Sequence, residues 1–76
     1  MGNKYIINVI DNIGLNYYDV INILEIIDLG DTYNIITNNG DLFLYKDYLN
    51  IIYNNYNDIE SIEYKTDHIA LNILTI

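Results

Sequence analysis

The sequence predicts a single small α+β domain, and three observations carry that reading. Asn39-Gly40 separates two short runs that alternate apolar and polar residues, TYNIIT and DLFLY, which is a strong short-range hairpin signal. A second pair of alternating runs flanks Thr66-Asp67 between Ile59 and Ile76. Elsewhere, apolar residues recur at helical spacing and stop at Gly14 and Gly30, where helix C-terminal glycines belong. The expected order is α-α-β-β-α-β-β, a small antiparallel sheet of two hairpins packed with two or three helices.

From Asn3 to Ile13, residues Tyr5, Ile6, Val9, Ile10 and Ile13 share one side of a helical wheel, opposite Lys4, Asn8, Asp11 and Asn12. Ile7 breaks the pattern, and the β-branched content also fits a strand, so this element reads as helix or strand. Asn16 is placed to cap a second helix from Tyr17 to Leu29. Its main stripe is Tyr17, Val20, Ile21, Leu24 and Ile27, with Asp19, Asn22, Glu25 and Asp28 on the polar arc. Tyr18, Ile26 and Leu29 form a thinner second stripe, which fits a helix packed on two sides or touching a partner. In the first hairpin, Tyr33, Ile35, Leu42 and Leu44 share one face, and Ile36, Phe43, Tyr45 and Asn34 the other. A type I′ turn would need positive φ at both Asn39 and Gly40. Asp47 would then cap a third helix reaching about Tyr56, with Tyr48, Leu49, Ile52, Tyr53 and Tyr56 on its apolar side. In the last hairpin, Ile62, Tyr64, Ile69, Leu71 and Ile73 are expected to face the core, and Ser61, Glu63, Lys65, His68 and Asn72 to face water.

Seventy-six residues make one domain with a thin stability margin, and no cysteine is present to staple it. No apolar run approaches the roughly 20 residues that span a bilayer, and the N-terminus does not read as a signal peptide. The expectation is a cytoplasmic protein with no membrane association and scope for a homodimer.

The charge balance is the informative feature. Asn, Ile and Tyr, all with AT-rich codons, make up about half of the chain, yet lysine is nearly missing: 3 Lys+Arg stand against 11 Asp+Glu, for a net charge of −8. Codon drift accounts for the first fact but not for the second, which points to selection against positive charge. Direct nucleic-acid binding is therefore excluded, since phosphate contacts need Lys and Arg. Two helices before a hairpin would resemble a winged helix-turn-helix, but the second helix carries Asp19, Glu25 and Asp28 and no basic residue. Catalysis is not expected either. His68 is the only histidine, beside a turn, and there is neither Cys nor Arg to complete a nucleophile, base and orienting group. ITNNGDLFLYKD fails as a calcium loop because its first position is Ile35 and its twelfth Lys46. No cofactor and no metal site are expected.

The reverse electrostatic role fits better. Carboxylates interleaved with tyrosine can occupy a groove built for phosphates and bases, with opposite charge steering the encounter. The candidate contact residues are Asp19, Glu25, Asp28 and Asp31 in one acidic arc, and Tyr56, Asp58, Glu60, Glu63 and Asp67 in NNYNDIESIEYKTD. Tyr17, Tyr18, Tyr53 and Tyr64 could add amphipathic anchors. The expected partner is a basic nucleic-acid-binding host protein, such as a nuclease complex. A competing reading is a small self-associating, adaptor or antitoxin-type module, motivated by the charge-free tail HIALNILTI, whose outer positions Ala70, Leu74 and Ile76 add apolar surface beside a sheet edge.

In size, in acidity and in the segment IITNNGDLFLYKDYLNIIYNNY, read as strand, Asn-Gly turn, strand and amphipathic helix, the chain resembles the small acidic anti-CRISPR and anti-defence proteins of phages and mobile elements. That resemblance implies a non-enzymatic inhibitor that binds a nuclease complex at a positively charged nucleic-acid or target-recognition channel.

Overall fold

The computed structural model describes residues 4–76. It contains seven strands: β1 Lys4–Asp11, β2 Asn16–Asp28, β3 Thr32–Thr37, β4 Gly40–Tyr45, β5 Leu49–Tyr53, β6 Ile59–Lys65 and β7 Ile69–Thr75. They form one antiparallel sheet, ordered β4-β3-β2-β1-β7-β6-β5, that curls into a half-barrel. Among the described residues the only helical ones form a single 3₁₀ turn, Lys46–Tyr48. The α+β expectation is thus overturned: the first segment takes its strand alternative, the second predicted helix is strand β2, and the third is a short turn followed by strand β5.

The long strand β2 is what makes the sheet curl. Its first half pairs with β1, Asn16 opposite Ile10 through Asn22 opposite Lys4. Its second half pairs with β3, Ile26 opposite Ile35 and Asp28 opposite Tyr33. Between them the register slips, because Ile23 faces Thr37 while Glu25 faces Ile36, and Leu24 is the extra residue of a β-bulge. One strand therefore serves two layers: β2-β1-β7-β6-β5, and β2-β3-β4. A second bulge falls at Glu60, since Ile52 opposes Ser61 and Tyr53 opposes Ile59. The Tyr5 hydroxyl donates to the Ile59 carbonyl (3.0 Å), and the Thr75 hydroxyl donates to the Glu60 carbonyl (2.6 Å).

With every pairing antiparallel, β4 and β5 run in the same direction. They behave as one kinked strand that leaves β3 on one edge, passes through the 3₁₀ turn and joins β6 on the other edge. Asp47 lies within that turn and caps no helix; the residue before the turn, Tyr45, makes no side-chain cap bond.

Alternation then decides which side chains enter the core. The buried set is Tyr5, Ile7, Ile21, Ile35, Leu44, Ile62, Tyr64, Leu71 and Ile73. Cross-strand partners on this inner face match: Tyr5 with Ile21, Ile7 with Ile73, Ile62 with Ile73, and Tyr64 with Leu71. The same rule splits the expected helical stripes. Tyr5 and Val9 point inward but Ile6 and Ile10 outward; Tyr17 and Ile21 point inward but Val20 and Ile27 outward. The first predicted helix began at Asn3, which lies outside the described residues.

The faces of the first hairpin are as the sequence predicts, with Tyr33, Ile35, Leu42 and Leu44 inside, but the register is not: an Asn39-Gly40 loop would pair Ile35 with Leu44, whereas Ile35 lies opposite Leu42 and Tyr33 opposite Leu44. The turn chemistry differs. Asn38 and Asn39 form the two-residue loop, and of the turn residues only Gly40 has positive φ, at 122°. The Thr37 hydroxyl accepts from the Asn39 N–H and donates to the Gly40 carbonyl, so the loop does not need two left-handed residues. Gly14 and Gly30 reverse the chain between strands rather than ending helices. Two further expectations fail: Ser61 is buried between Leu74 and Ile52 instead of facing water, and β7 lies between β1 and β6 rather than at an edge. No helix among the described residues is long and apolar enough to cross a membrane.

Candidate interaction surfaces

The expected acidic arc of Asp19, Glu25, Asp28 and Asp31 does not exist as one surface, because strand alternation and the Leu24 bulge separate its members. Asp19 lies on the inner side of β2 opposite Ile7, half-buried. It accepts from the Tyr17 hydroxyl at 3.0 Å and from the Asn39 side-chain amide, tying the β3–β4 turn to β2. That bond to the carboxylate, with the nearby negative charge, pushes the Tyr17 phenol pKa upward. Glu25 points out of the opposite face, opposite Ile36, whose other neighbour in the same row is Asp41.

Asp28 and Asp31 are brought together by Lys46. The ammonium of Lys46 lies 2.6 Å from Asp28 Oδ1 and 4.6 Å from the centre of the Tyr33 ring, and its backbone N–H donates to the Asp31 carbonyl at 3.0 Å. The Lys46 bond, followed by the Gly30 N–H, holds the Asp28 carboxyl below its usual range. Asp28 in turn raises the lysine. Asp28 therefore belongs to a structural clasp between the β2–β3 turn and the 3₁₀ segment. This is the only ion pair among the described residues, which include all eleven carboxylates and all three lysines.

Tyr56 ends no helix but lies in the β5–β6 turn, where local hydrogen bonds hold the stretch from Tyr56 toward Glu60. Asn54 Oδ1 accepts from the Tyr56 N–H (2.8 Å) and the Asp58 N–H (3.1 Å), and Asn57 takes φ 63°, a conformation that asparagine tolerates well. The ordered loop presents Tyr56, 85% exposed, beside Asp58, with Glu60 in the bulge just beyond. Glu63 stands apart on the outer face of β6, and Asp67 lies in the β6–β7 turn at the far end of that strand. Of the further tyrosine anchors, Tyr17, Tyr18 and Tyr53 are exposed, whereas Tyr64 is buried.

Charge is divided evenly between the layers but unevenly between their faces: Glu25, Asp28, Asp31, Asp41 and Asp47 with Lys46 belong to the β2-β3-β4 side and its turns, and Asp11, Asp19, Asp58, Glu60, Glu63 and Asp67 with Lys4 and Lys65 to the rest. On the outer face of β2-β3-β4, Glu25 and Asp41 flank Ile36, and Phe43 and Tyr45 follow along β4, 62% and 58% exposed. The outer face of the five-stranded layer is the opposite case: it bears Lys4, Lys65 and Glu63, with Glu60 at its border. The sequence already assigns Phe43 and Tyr45 to one face of the first hairpin, and alternation adds Asp41 to it; Glu25 was missed because β2 reads as a helix.

A groove of about 660 Å³ opens between the 3₁₀ turn and the β6–β7 turn, lined by Tyr45, Tyr48 and Tyr64 and by Asp67 and His68. Tyr48 packs edge-to-face on both Tyr45 and Tyr64, with centroids 6.5 and 6.4 Å apart. The described residues hold no group of three or more His, Cys, Asp or Glu that could bind a metal ion. Compared with known proteins, the chain matches no family model, no curated protein and no solved structure.

Proposed function

We propose that this chain is a non-catalytic binding protein that engages a basic, nucleic-acid-binding surface of a host protein and so competes with nucleic acid for it, inside the cell, in the manner of an anti-defence inhibitor. The observation that carries this reading is uncompensated negative charge beside exposed rings: among the described residues only Asp28 is ion-paired, and Glu25 and Asp41 share one outer face with Phe43 and Tyr45. Unpaired carboxylates beside exposed aromatics suit a groove that otherwise holds phosphates and bases, because charge steers the encounter and rings supply desolvated anchors. The proposed contact sets are Glu25 and Asp41 with Phe43 and Tyr45, and Asp58 and Glu60 with Tyr56.

The test uses the host's own basic proteins. Those retained on immobilised heparin are passed over the tethered chain at low salt, captured proteins are identified by mass spectrometry, and each is challenged with duplex DNA. Capture that DNA displaces, and that is lost in Glu25→Lys with Asp41→Lys or in Asp58→Lys with Glu60→Lys, supports the proposal and identifies the contact set. Capture that neither DNA nor either charge-reversed pair alters overturns it.

A further inference from the structure

The outer face of β2-β1-β7-β6-β5 stands out because it is the part of an acidic protein from which acid is withheld. Cross-strand neighbours on this face line up in rows. One row runs Val20, Ile6, Leu74, Ser61 and Ile52 across all five strands without a charge. Its four apolar members are 37–53% exposed. The next row reads Tyr18, Asn8, Asn72, Glu63 and Asn50, the one beyond it Asn16, Ile10, Ala70 and Lys65, and on the other side lie Asn22 and Lys4. The face is thus apolar and amide-rich, with two lysines and one glutamate in a chain of net charge −8.

We infer that this face is the self-complementary interface of a homodimer, with Leu74 on the two-fold axis. Two arguments select a second copy as the occupant. The first is charge registration. Ile6 and Ser61 both oppose Leu74; Lys4 lies two residues before Ile6 on β1, and Glu63 two residues after Ser61 on β6. Since β1 and β6 are the two neighbours of β7 and run in the same direction, Lys4, Leu74 and Glu63 fall on one diagonal with Leu74 at its midpoint. A two-fold axis in the interface plane, passing through Leu74 at right angles to that diagonal, places each copy's Glu63 over the other's Lys4 and sets leucine against leucine. This is what an isologous contact requires, and both ion pairs form at once. The second argument is area. Five strands about 4.8 Å apart, each presenting about seven residues at about 3.3 Å, offer at most about 500 Å² per copy, and the curl of the sheet makes this outer face convex, so the contact centres on the apolar row through Leu74. Two copies bury at most about 1,000 Å², which places the dimer at the small, weaker end of specific interfaces.

The interface lies on the opposite layer from Glu25, Asp41, Phe43 and Tyr45, so dimerisation leaves those residues open and doubles their number. It does not depend on the proposed function, and its test needs no partner. Sedimentation at micromolar concentration in about 0.15 M salt, where like-charge repulsion is largely screened, should show a dimer. Leu74→Asp or Ile6→Asp should raise its dissociation constant at least roughly 100-fold while leaving the circular dichroism unchanged, since both side chains are exposed. Lys4→Glu and Glu63→Lys should each weaken it roughly tenfold, and the double exchange should restore it. The chain has no cysteine, so Leu74→Cys provides a clean probe: under mild oxidation it should cross-link two copies, whereas Phe43→Cys should not. A monomer at every concentration, equal cross-linking at the two positions, or a double exchange no tighter than the single variants would overturn the inference. So would a monomer whose Leu74→Asp variant loses a different captured protein, because that outcome assigns the face to another partner.

Discussion

Replacing Ile62 by alanine tests the inner face of the sheet and, through it, the outer one. Ile62 is fully buried and sits between Ile51 and Ile73 in one cross-strand row. Truncation removes three carbons, about 2.5 kcal/mol at about 0.8 kcal/mol per methylene. A residual cavity of roughly 70 Å³ adds about 1.5 kcal/mol, so the expected loss is about 3–4 kcal/mol. At about 0.05–0.15 kcal/mol per residue, the whole 76-residue domain is stable by only about 4–11 kcal/mol. With a urea slope near about 1 kcal/mol/M for so small a chain, the midpoint should fall by about 3 M, or folding should fail outright if the wild type lies at the low end. Ile52 lies on the neighbouring strand but faces outward opposite Ser61, so Ile52→Ala in dilute protein should cost less than about 1 kcal/mol. Urea titration followed by far-ultraviolet circular dichroism gives both numbers. Equal losses for the two variants would refute the assignment of faces on β5 and β6, and with it the row of residues assigned to the dimer.

Gly40→Ala and Gly30→Ala should each cost about 1 kcal/mol in the same titration, purely from φ of 122° and 98°, because an added Cβ at either position meets nothing within 4 Å; neutral substitutions would show that these turns are not left-handed. Lys46→Met should let the Asp28 carboxyl return toward its ordinary pKa, read by NMR titration. The pKa of Asp28 is lowered in the folded state, so its stabilisation is complete above the unfolded value and lost as pH falls through the folded one. The raised Lys46 contributes fully below its unfolded value and loses that contribution as pH rises through its folded one. Wild type should therefore hold its advantage over Lys46→Met through neutral pH and lose it both in acid below the usual carboxylate range and in strong alkali; an advantage that persists unchanged at both extremes would show that the clasp adds nothing.

The sequence disclosed the chain reversals better than the elements between them. Gly14, Gly30, Asn39-Gly40 and Thr66-Asp67 all lie at or beside reversals between strands, and the inner and outer faces of both hairpins follow from residue alternation, although the register of the first does not. The missed strands share one physical cause. When both faces of a sheet are apolar, period-two alternation disappears, and isoleucines at chance spacing mimic a helical stripe. In β1, Ile6 and Ile10 face out while Tyr5, Ile7 and Val9 face in, so a wheel drawn through Tyr5, Ile6, Val9 and Ile10 mixes the two sides. Local preference pointed the right way: β-branched and aromatic residues favour strands, and Asn54, Asn55 and Asn57 are poor helix formers. Of the candidate contact residues, Tyr56, Asp58 and Glu60 stay close because they are neighbours in sequence, although Tyr56 lies in a turn and not on the expected helix. The pairing of Glu25 with Asp41 was not legible, because it exists only across three strands. Asp28 was misread because its partner, Lys46, lies on the far side of a hairpin.

Ionic strength separates the two proposed interactions because the same charge acts on them with opposite signs. Two copies of net charge −8, at a spacing of about the molecule's shortest extent of 23 Å, repel at long range even though the touching faces are nearly neutral. Lowering salt from about 0.1 M to about 0.01 M lengthens the screening distance from about 10 to about 30 Å and should weaken the dimer by roughly two to three orders of magnitude. The Lys4–Glu63 contacts strengthen over the same range, but two exposed pairs are worth far less than the repulsion between whole molecules. Capture of a basic protein should move the other way, tightening as salt is removed. Self-association that tightened on dilution of salt would mean that local pairs rather than net charge govern the contact, and the diagonal through Leu74 would then have to be replaced by a far more highly charged interface.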